Sequence, residues 1–209
     1  MSGNDTREKI LEAADRLFAE VGYDATATRE IAEMSGVNKA LIHYHYENKE
    51  ALFTIILDRY YERLAAALAK SVEAEGTVLE RMKRLIDAYV DFLSENRNFA
   101  RTVQREASGG KHIERIRAHM VPIYRMGMEL LHGAYPNTRS GDLAAEQLLT
   151  TYYGMAVTYF TYSDVLEFLV KKDPFSKREL EKRKKHLHRM LEMTDEALKV
   201  QEAEPKHRS

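Results

Sequence analysis

Residues 27–52, ATREIAEMSGVNKALIHYHYENKEAL, decide the fold. They read as a short helix, a turn closed by Gly36, a second short helix rich in donor side chains, and the start of a third. Gly36 stands where a tight turn needs φ > 0, and Val37 follows it to plug the gap between the helices. The second helix is expected over about 39–45, with Ile42 and Tyr46 as inward anchors. This is the layout of a helix-turn-helix, in which the second helix enters a DNA major groove.

Working outward, Asp5 and Glu8 form a capping-box-like start to a first helix. Ile10, Leu11, Ala14, Leu17, Phe18 and Val21 then repeat at helical spacing until Gly22. Thr26 or Thr28 is expected to cap the next helix, and Asn48 to cap a fourth running to about Val72. Beyond Gly76, Thr77 and Glu80 open a fifth helix, and a short sixth ends near Ala107. After a loop at 108–111, a seventh is expected over 113–135, kinked by Pro122. Two long helices, 142–171 and 176–201, close the fold, with Asp173-Pro174 between them and a disordered tail over 202–209. No strand pattern interrupts this. The fold class is all-α, with about nine helices: a DNA-binding domain at 1–50 and a helical ligand-binding and dimerisation domain at 51–201.

Composition agrees. Of 209 residues 44% are hydrophobic and 31% charged, with four prolines and no cysteine, which removes disulfides, thiolate ligands and cysteine nucleophiles. The N-terminal MSGNDTREKI lacks a signal-peptide run, and nothing approaches the roughly 20 apolar residues of a membrane span. The expectation is a cytoplasmic protein with no membrane partner. Residues 1–50 carry six Lys/Arg against ten Asp/Glu, yet 36–46 holds Lys39, two histidines and no acid. A basic footprint for nucleic acid must therefore be local.

Metal chemistry and catalysis find little footing. His43 and His45, like His186 and His188, are two apart and so do not share a helix face. His112 and His119 can share one, but no cluster of carboxylates accompanies them. There is no nucleophile elbow, phosphate loop or HExxH, and no cofactor is expected. The basic run 177–189 reads as the wet face of the last helix, whose Leu180, Leu187, Met190, Leu191 and Leu198 pack inward. A second nucleic-acid or membrane-surface patch is its other reading.

The helix order and the residues Gly22-Tyr23, Thr26, Ile31-Ala32, Gly36-Val37, Lys39, Ile42, Tyr44-His45-Tyr46, Lys49 and Leu52 resemble the TetR family of bacterial one-component regulators. The resemblance implies a repressor that binds a palindromic operator in double-stranded DNA as a homodimer through its last two long helices. A small molecule would release it. Carried over by position, Thr28 and Lys49 correspond to phosphate contacts. Lys39, Ala40 and Leu41 correspond to base-edge positions, and His43, Tyr44 and His45 to base or phosphate positions. Ala40, Leu41 and His43 depart from the family's usual Gly, Thr and Tyr. The first two make the groove-facing surface more apolar, suited to thymine methyls; His43 adds a pH-dependent phosphate contact.

For an apolar effector, the aromatic and methionine residues of the C-terminal part are the candidates: Tyr89, Phe92, Phe99, Val103, Met120, Tyr124, Met128, Tyr152, Met155 and Tyr159. Two readings from other classes stand beside this one: a nucleoid-associated or cell-division factor of the same fold, controlled by a protein partner, and a helical enzyme or small-molecule carrier.

Overall fold

A computed structural model describes residues 3–108 and 110–203. Among them are ten α-helices: α1 Gly3–Val21, α2 Thr28–Ser35, α3 Lys39–Tyr46, α4 Lys49–Glu73, α5 Val78–Glu95, α6 Arg97–Ala107, α7 Ile113–Ala134, α8 Ala145–Thr161, α9 Ser163–Val170 and α10 Lys177–Ala203. A 3-10 turn at Pro136–Arg139 follows α7. One more helix is present than the sequence indicated, because the apolar stretch after residue 142 divides at Tyr162 (φ −99°, ψ 23°) into α8 and α9. No glycine or proline marks that break, so periodicity reads straight through it. α7 continues through Pro122 as one helix. Glu202, expected in the tail, lies in α10 and accepts the Asn137 N–H at 2.6 Å; residues 204–209 lie outside the described residues.

Contacts sort the chain into two units, Met1–Arg63 with Asn96–Ile116, and Leu64–Glu95 with Arg117–Ser209. This differs from an expected boundary at residue 50. The first half of α4, all of α6 and the first turn of α7 pack with the helix-turn-helix. Phe99 of α6 meets Tyr60 and Tyr61 of α4, both at 5.2 Å between ring centroids, and Arg115 of α7 forks onto Asp58.

In the first unit, Ile10, Phe18, Ile31, Ile42, Tyr46, Leu52 and Phe53 are all but removed from solvent. Phe53 meets Phe18 edge-on at 5.0 Å, and the Tyr46 hydroxyl donates to the Arg7 carbonyl at 2.8 Å, fixing α3 against α1. Local capping differs from the reading. α1 already begins at Gly3, so Asp5 pairs with Lys9 and Glu8 reaches Arg59. Neither Thr26 nor Thr28 caps α2. The buried Thr26 hydroxyl donates back to the Gly22 carbonyl at 2.7 Å, and the Glu30 carboxylate takes the Ala27 N–H at 2.7 Å. Asn48 does cap α4, accepting the Ala51 N–H at 2.8 Å.

Asp15 is a half-buried carboxyl at the edge of this core. Its Oδ2 accepts from the Tyr60 hydroxyl (2.7 Å) and from Asn98 (2.8 Å), while its buried Oδ1 has no partner. Burial raises the Asp15 carboxyl above its ordinary 3.8, against the two hydrogen bonds and the charge of Arg63. A carboxyl raised on folding is protonated more readily in the native state. Its contribution to stability is therefore greatest at low pH and is lost as pH rises from 3.8 through the folded value. Carboxyl carbon-13 NMR is expected to place the Asp15 midpoint above 3.8, and Asp15→Asn to remove this part of the pH dependence. A midpoint at or below 3.8 refutes the assignment.

In the second unit α5 packs against α10 and α8. Two ion pairs, Lys83–Glu192 and Asp91–Lys184 (both 2.6 Å), and a hydrogen-bond contact between His188 Nε2 and Asp87 (2.8 Å) tie α5 to α10. Arg183, from the same basic run, donates to the Met155 carbonyl at 2.5 Å and lies over the Tyr159 ring. Part of the 177–189 run is thus spent inside the unit. Leu187, Leu191 and Leu198 of α10 are buried, while the Tyr135 hydroxyl donates to Asp195, which also pairs with Lys199 at 2.6 Å.

Candidate nucleic-acid interface and effector cavity

The turn between α2 and α3 is built by backbone bonds. Gly36 N–H reaches the Glu33 carbonyl (3.3 Å) and Val37 N–H the Ala32 carbonyl (3.1 Å), with Gly36 at φ 67°. These two bonds close the end of α2 in a left-handed cap that glycine adopts without strain. Val37 is half-buried. Asn38 then caps α3, its side chain accepting the Ala40 N–H at 2.9 Å. With Ile42 and Tyr46 turned inward, the other face of α3 is left to solvent. Lys39, Ala40, Leu41, His43 and Tyr44 are exposed, Tyr44 by 81%. His45 is half-buried and meets Tyr44 edge-on at 5.0 Å. Thr28, the first residue of α2, is half-buried.

Two of these positions have duties that sequence does not show. His43 Nδ1 lies 2.8 Å from the Glu47 carbonyl, so Nδ1–H donates there. The Nε2 of a neutral His43 then accepts, and donating to a phosphate requires a second proton. Lys49 departs further from its expected phosphate contact. Its ammonium donates to the carbonyls of Tyr23 (2.7 Å) and Thr26 (2.8 Å), with Asp24 at 3.5 Å, and sits 4.3 Å from the Tyr23 ring centroid. An ammonium has three donors, and here three carbonyls face them. The geometry makes Lys49 the clamp on the loop between α1 and α2.

Beside this clamp lies a charged cluster that sequence reasoning missed. Glu50 accepts from the Tyr23 hydroxyl and from Lys111, both at 2.8 Å. Burial pushes the Glu50 carboxyl up, but the hydrogen bonds from Lys111 and Tyr23 and the charge of His112 outweigh it and hold it below its ordinary value. His112, with its side chain 4% exposed, donates through Nδ1 to Glu106 Oε2 at 2.6 Å. Its Nε2 lies 2.9 Å from Glu50 Oε1, near enough for charge attraction but out of line for a hydrogen bond. The His112 ring also packs on Tyr23 and Phe53, at 4.4 and 4.3 Å. Glu50 of α4 lies more than 50 positions before Glu106 of α6 and His112 of the turn before α7, which are themselves six apart. No spacing signal finds them.

The second unit holds a cavity of about 110 Å³ between α4, α5, α7 and α8. Leu64, Leu68, Met82, Leu85, Ile86, Tyr89, Met120, Ile123, Tyr124, Met126, Gly127, Leu149, Tyr152 and Tyr153 line it, and none is charged. Gly127 lets α8 come close: a Cβ there would stand 2.9 Å from Leu149. Of the expected pocket residues, Tyr89, Met120, Tyr124 and Tyr152 reach the cavity. Phe92, Met128, Met155 and Tyr159 are not in its wall, and the Tyr159 hydroxyl is spent on the Pro174 carbonyl at 2.8 Å. Phe99 and Val103 are core residues of the first unit, where the α6 apolar face packs on α4. An aromatic side chain has the same pattern whether it fills a core or borders a void, so only the fold separates the two.

Residues 79–191 match the family described as tetracyclin repressor-like, C-terminal domain, and residues 10–55 match bacterial regulatory proteins, tetR family. The chain belongs to the TetR family. Among curated relatives, this TetR-family chain is 26% identical over 93 residues to the HTH-type transcriptional activator FasR of Mycolicibacterium smegmatis, covering 44% of the chain and 42% of FasR. It is 37% identical over 84 residues to the HTH-type transcriptional regulator TtgR of Pseudomonas putida, covering 39% and 40%. The matched stretch thus spans less than half of either relative. In fold it is similar to the ketosteroid transcriptional regulator KstR2 of Mycobacterium tuberculosis, with a TM-score of 0.72 at 19% identity over 90% of this chain and 93% of that one. TetR-family proteins are transcriptional regulators rather than enzymes, and the all-α fold with its DNA-binding helix-turn-helix places this chain among them. Among the described residues no helix is long and apolar enough to cross a membrane.

Proposed function

We propose that the protein is a transcriptional repressor that binds a palindromic operator as a homodimer and is released by an apolar small molecule. The observation that carries the DNA reading is the exposed, acid-free face of α3, with Lys39 and Tyr44 open while Ile42 and Tyr46 anchor the helix. Two such helices, one per subunit, read successive major grooves about 34–36 Å apart. Lys39 supplies charge, Ala40 and Leu41 meet thymine methyls, and Tyr44 and His43 meet the backbone. Thr28 and His45 stand at the margin of this face. Pairing through α8 and α10 draws support from the uncharged exposed stripe Gln147, Thr151 and Thr158 on α8, where Gly154 leaves open space.

The effector enters the uncharged cavity. α7 contributes both the cavity wall from Met120 to Gly127 and, at its start, the turn holding His112. A ligand that repositions α7 therefore acts on the Glu50 end of α4, directly after α3. Coupling of this kind typically amounts to about 1–3 kcal/mol.

DNA selected by the protein from a random pool, then footprinted, tests the reading; no binding at low salt sinks it. Lys39→Ala is expected to weaken operator binding and lower the slope of log K against log salt by about one, the signature of one lost phosphate-neutralising charge. An unchanged slope removes Lys39 from the interface.

A further inference from the structure

The cavity also defines the chemistry of what fills it. Every side chain in its wall is uncharged, and nearly all are aliphatic, thioether or aromatic. Its polar groups are tyrosine hydroxyls, and these differ. Tyr152 is engaged with Thr194 Oγ1 at 2.6 Å, and Tyr124 is paired with Thr150. Tyr89 makes an interaction beyond its stack on Tyr153. Tyr153 is held by rings alone: it stacks on Tyr89 with centroids 6.2 Å apart and meets Tyr124 at 6.3 Å. Among the described residues no hydrogen bond reaches its hydroxyl. Tyr153 thus brings one uncommitted hydroxyl to the residues that line this apolar cavity.

We infer that the effector is an uncharged, mainly apolar molecule of about one ring in size, whose single polar group hydrogen-bonds to Tyr153. This rests on the reading of the cavity as the effector site. A carboxylate or ammonium placed there meets no counter-charge in the wall, and burying an unpaired ion is costly. A hydroxyl or carbonyl loses water as well, but Tyr153 replaces one of its hydrogen bonds. The volume sets the upper limit: 110 Å³, set against the roughly 150 Å³ void that accepts benzene, leaves room for one ring and not for two.

The test uses four one-ring probes, toluene, benzyl alcohol, benzoate and benzylammonium. Binding is followed by the methyl NMR signals of Met82, Met120 and Met126, which border the cavity. Toluene and benzyl alcohol are expected to shift these methyls, with benzoate and benzylammonium at least about 100-fold weaker. Tyr153→Phe is expected to weaken benzyl alcohol by about 3–10-fold and leave toluene unchanged, a split that mere loosening of the fold does not produce. Either ion binding within tenfold of benzyl alcohol overturns the inference. So does equal loss of both neutral probes in Tyr153→Phe, or the absence of any methyl shift. If the neutral probes bind with this selectivity but never weaken DNA binding, the chemistry of the cavity stands and its role as the effector site fails.

Discussion

Replacing His112 with leucine is expected to destabilise the protein by about 1–3 kcal/mol, the range for leaving a buried acceptor without its hydrogen-bond donor. The apolar surroundings are not the cause, because Tyr23 and Phe53 pack on the ring and accept a leucine. The cost comes from Glu106. Its side chain is only 9% exposed, and its Oε2 takes both His112 Nδ1–H at 2.6 Å and the His112 backbone N–H at 3.3 Å. Without the imidazole, a buried carboxylate keeps one weak donor. Glu106→Gln removes that charge, so the double variant is expected to regain at least about half of the loss, a coupling within the range for residues in direct contact. Urea unfolding followed by circular dichroism measures all three variants. A loss below about 1 kcal/mol for His112→Leu, or additive effects in the double variant, refutes the pair as a coupled buried unit.

Lys49→Met separates two roles that sequence assigns alike. A phosphate contact predicts a salt slope lower by about one with stability intact. The observed geometry predicts the reverse, because methionine keeps the apolar stem and deletes the ammonium that gathers the Tyr23, Thr26 and Asp24 carbonyls. Hydrogen bonds from a charged group contribute about 1.5–3 kcal/mol, and half-burial of Lys49 puts the expected loss near 2 kcal/mol. The salt slope is expected to match that of the parent protein, in contrast to Lys39→Ala. A lowered slope with unchanged unfolding would restore Lys49 to the interface.

The contrast between these lysines shows where sequence reading stops. Lys39 follows an N-cap asparagine on a helix whose inward positions are fixed by Ile42 and Tyr46, so its exposure follows from helical period alone. Lys49 also opens a helix, but its ammonium meets a loop 23 to 26 residues earlier in the chain. Period places a Cα on a face and does not say which loop folds over that face. Thr26 illustrates the same limit. It has the composition of a cap, yet a nearby carbonyl captures its hydroxyl.

Sequence by itself determined the all-α class, the helix-turn-helix and the face that α3 offers to DNA. Each rests on spacing within one or two helical turns and on a glycine at a left-handed turn. Only the tertiary structure decided the rest. It gave α6 and the first turn of α7 to the DNA-binding unit, gathered Glu50, Glu106 and His112 from distant positions, and turned Lys49 into a clamp. It also chose which tyrosines border the cavity and left the Tyr153 hydroxyl uncommitted there. The reason is physical: local spacing fixes backbone form and one buried stripe, whereas a pocket or an ion pair exists only once helices far apart in sequence have packed.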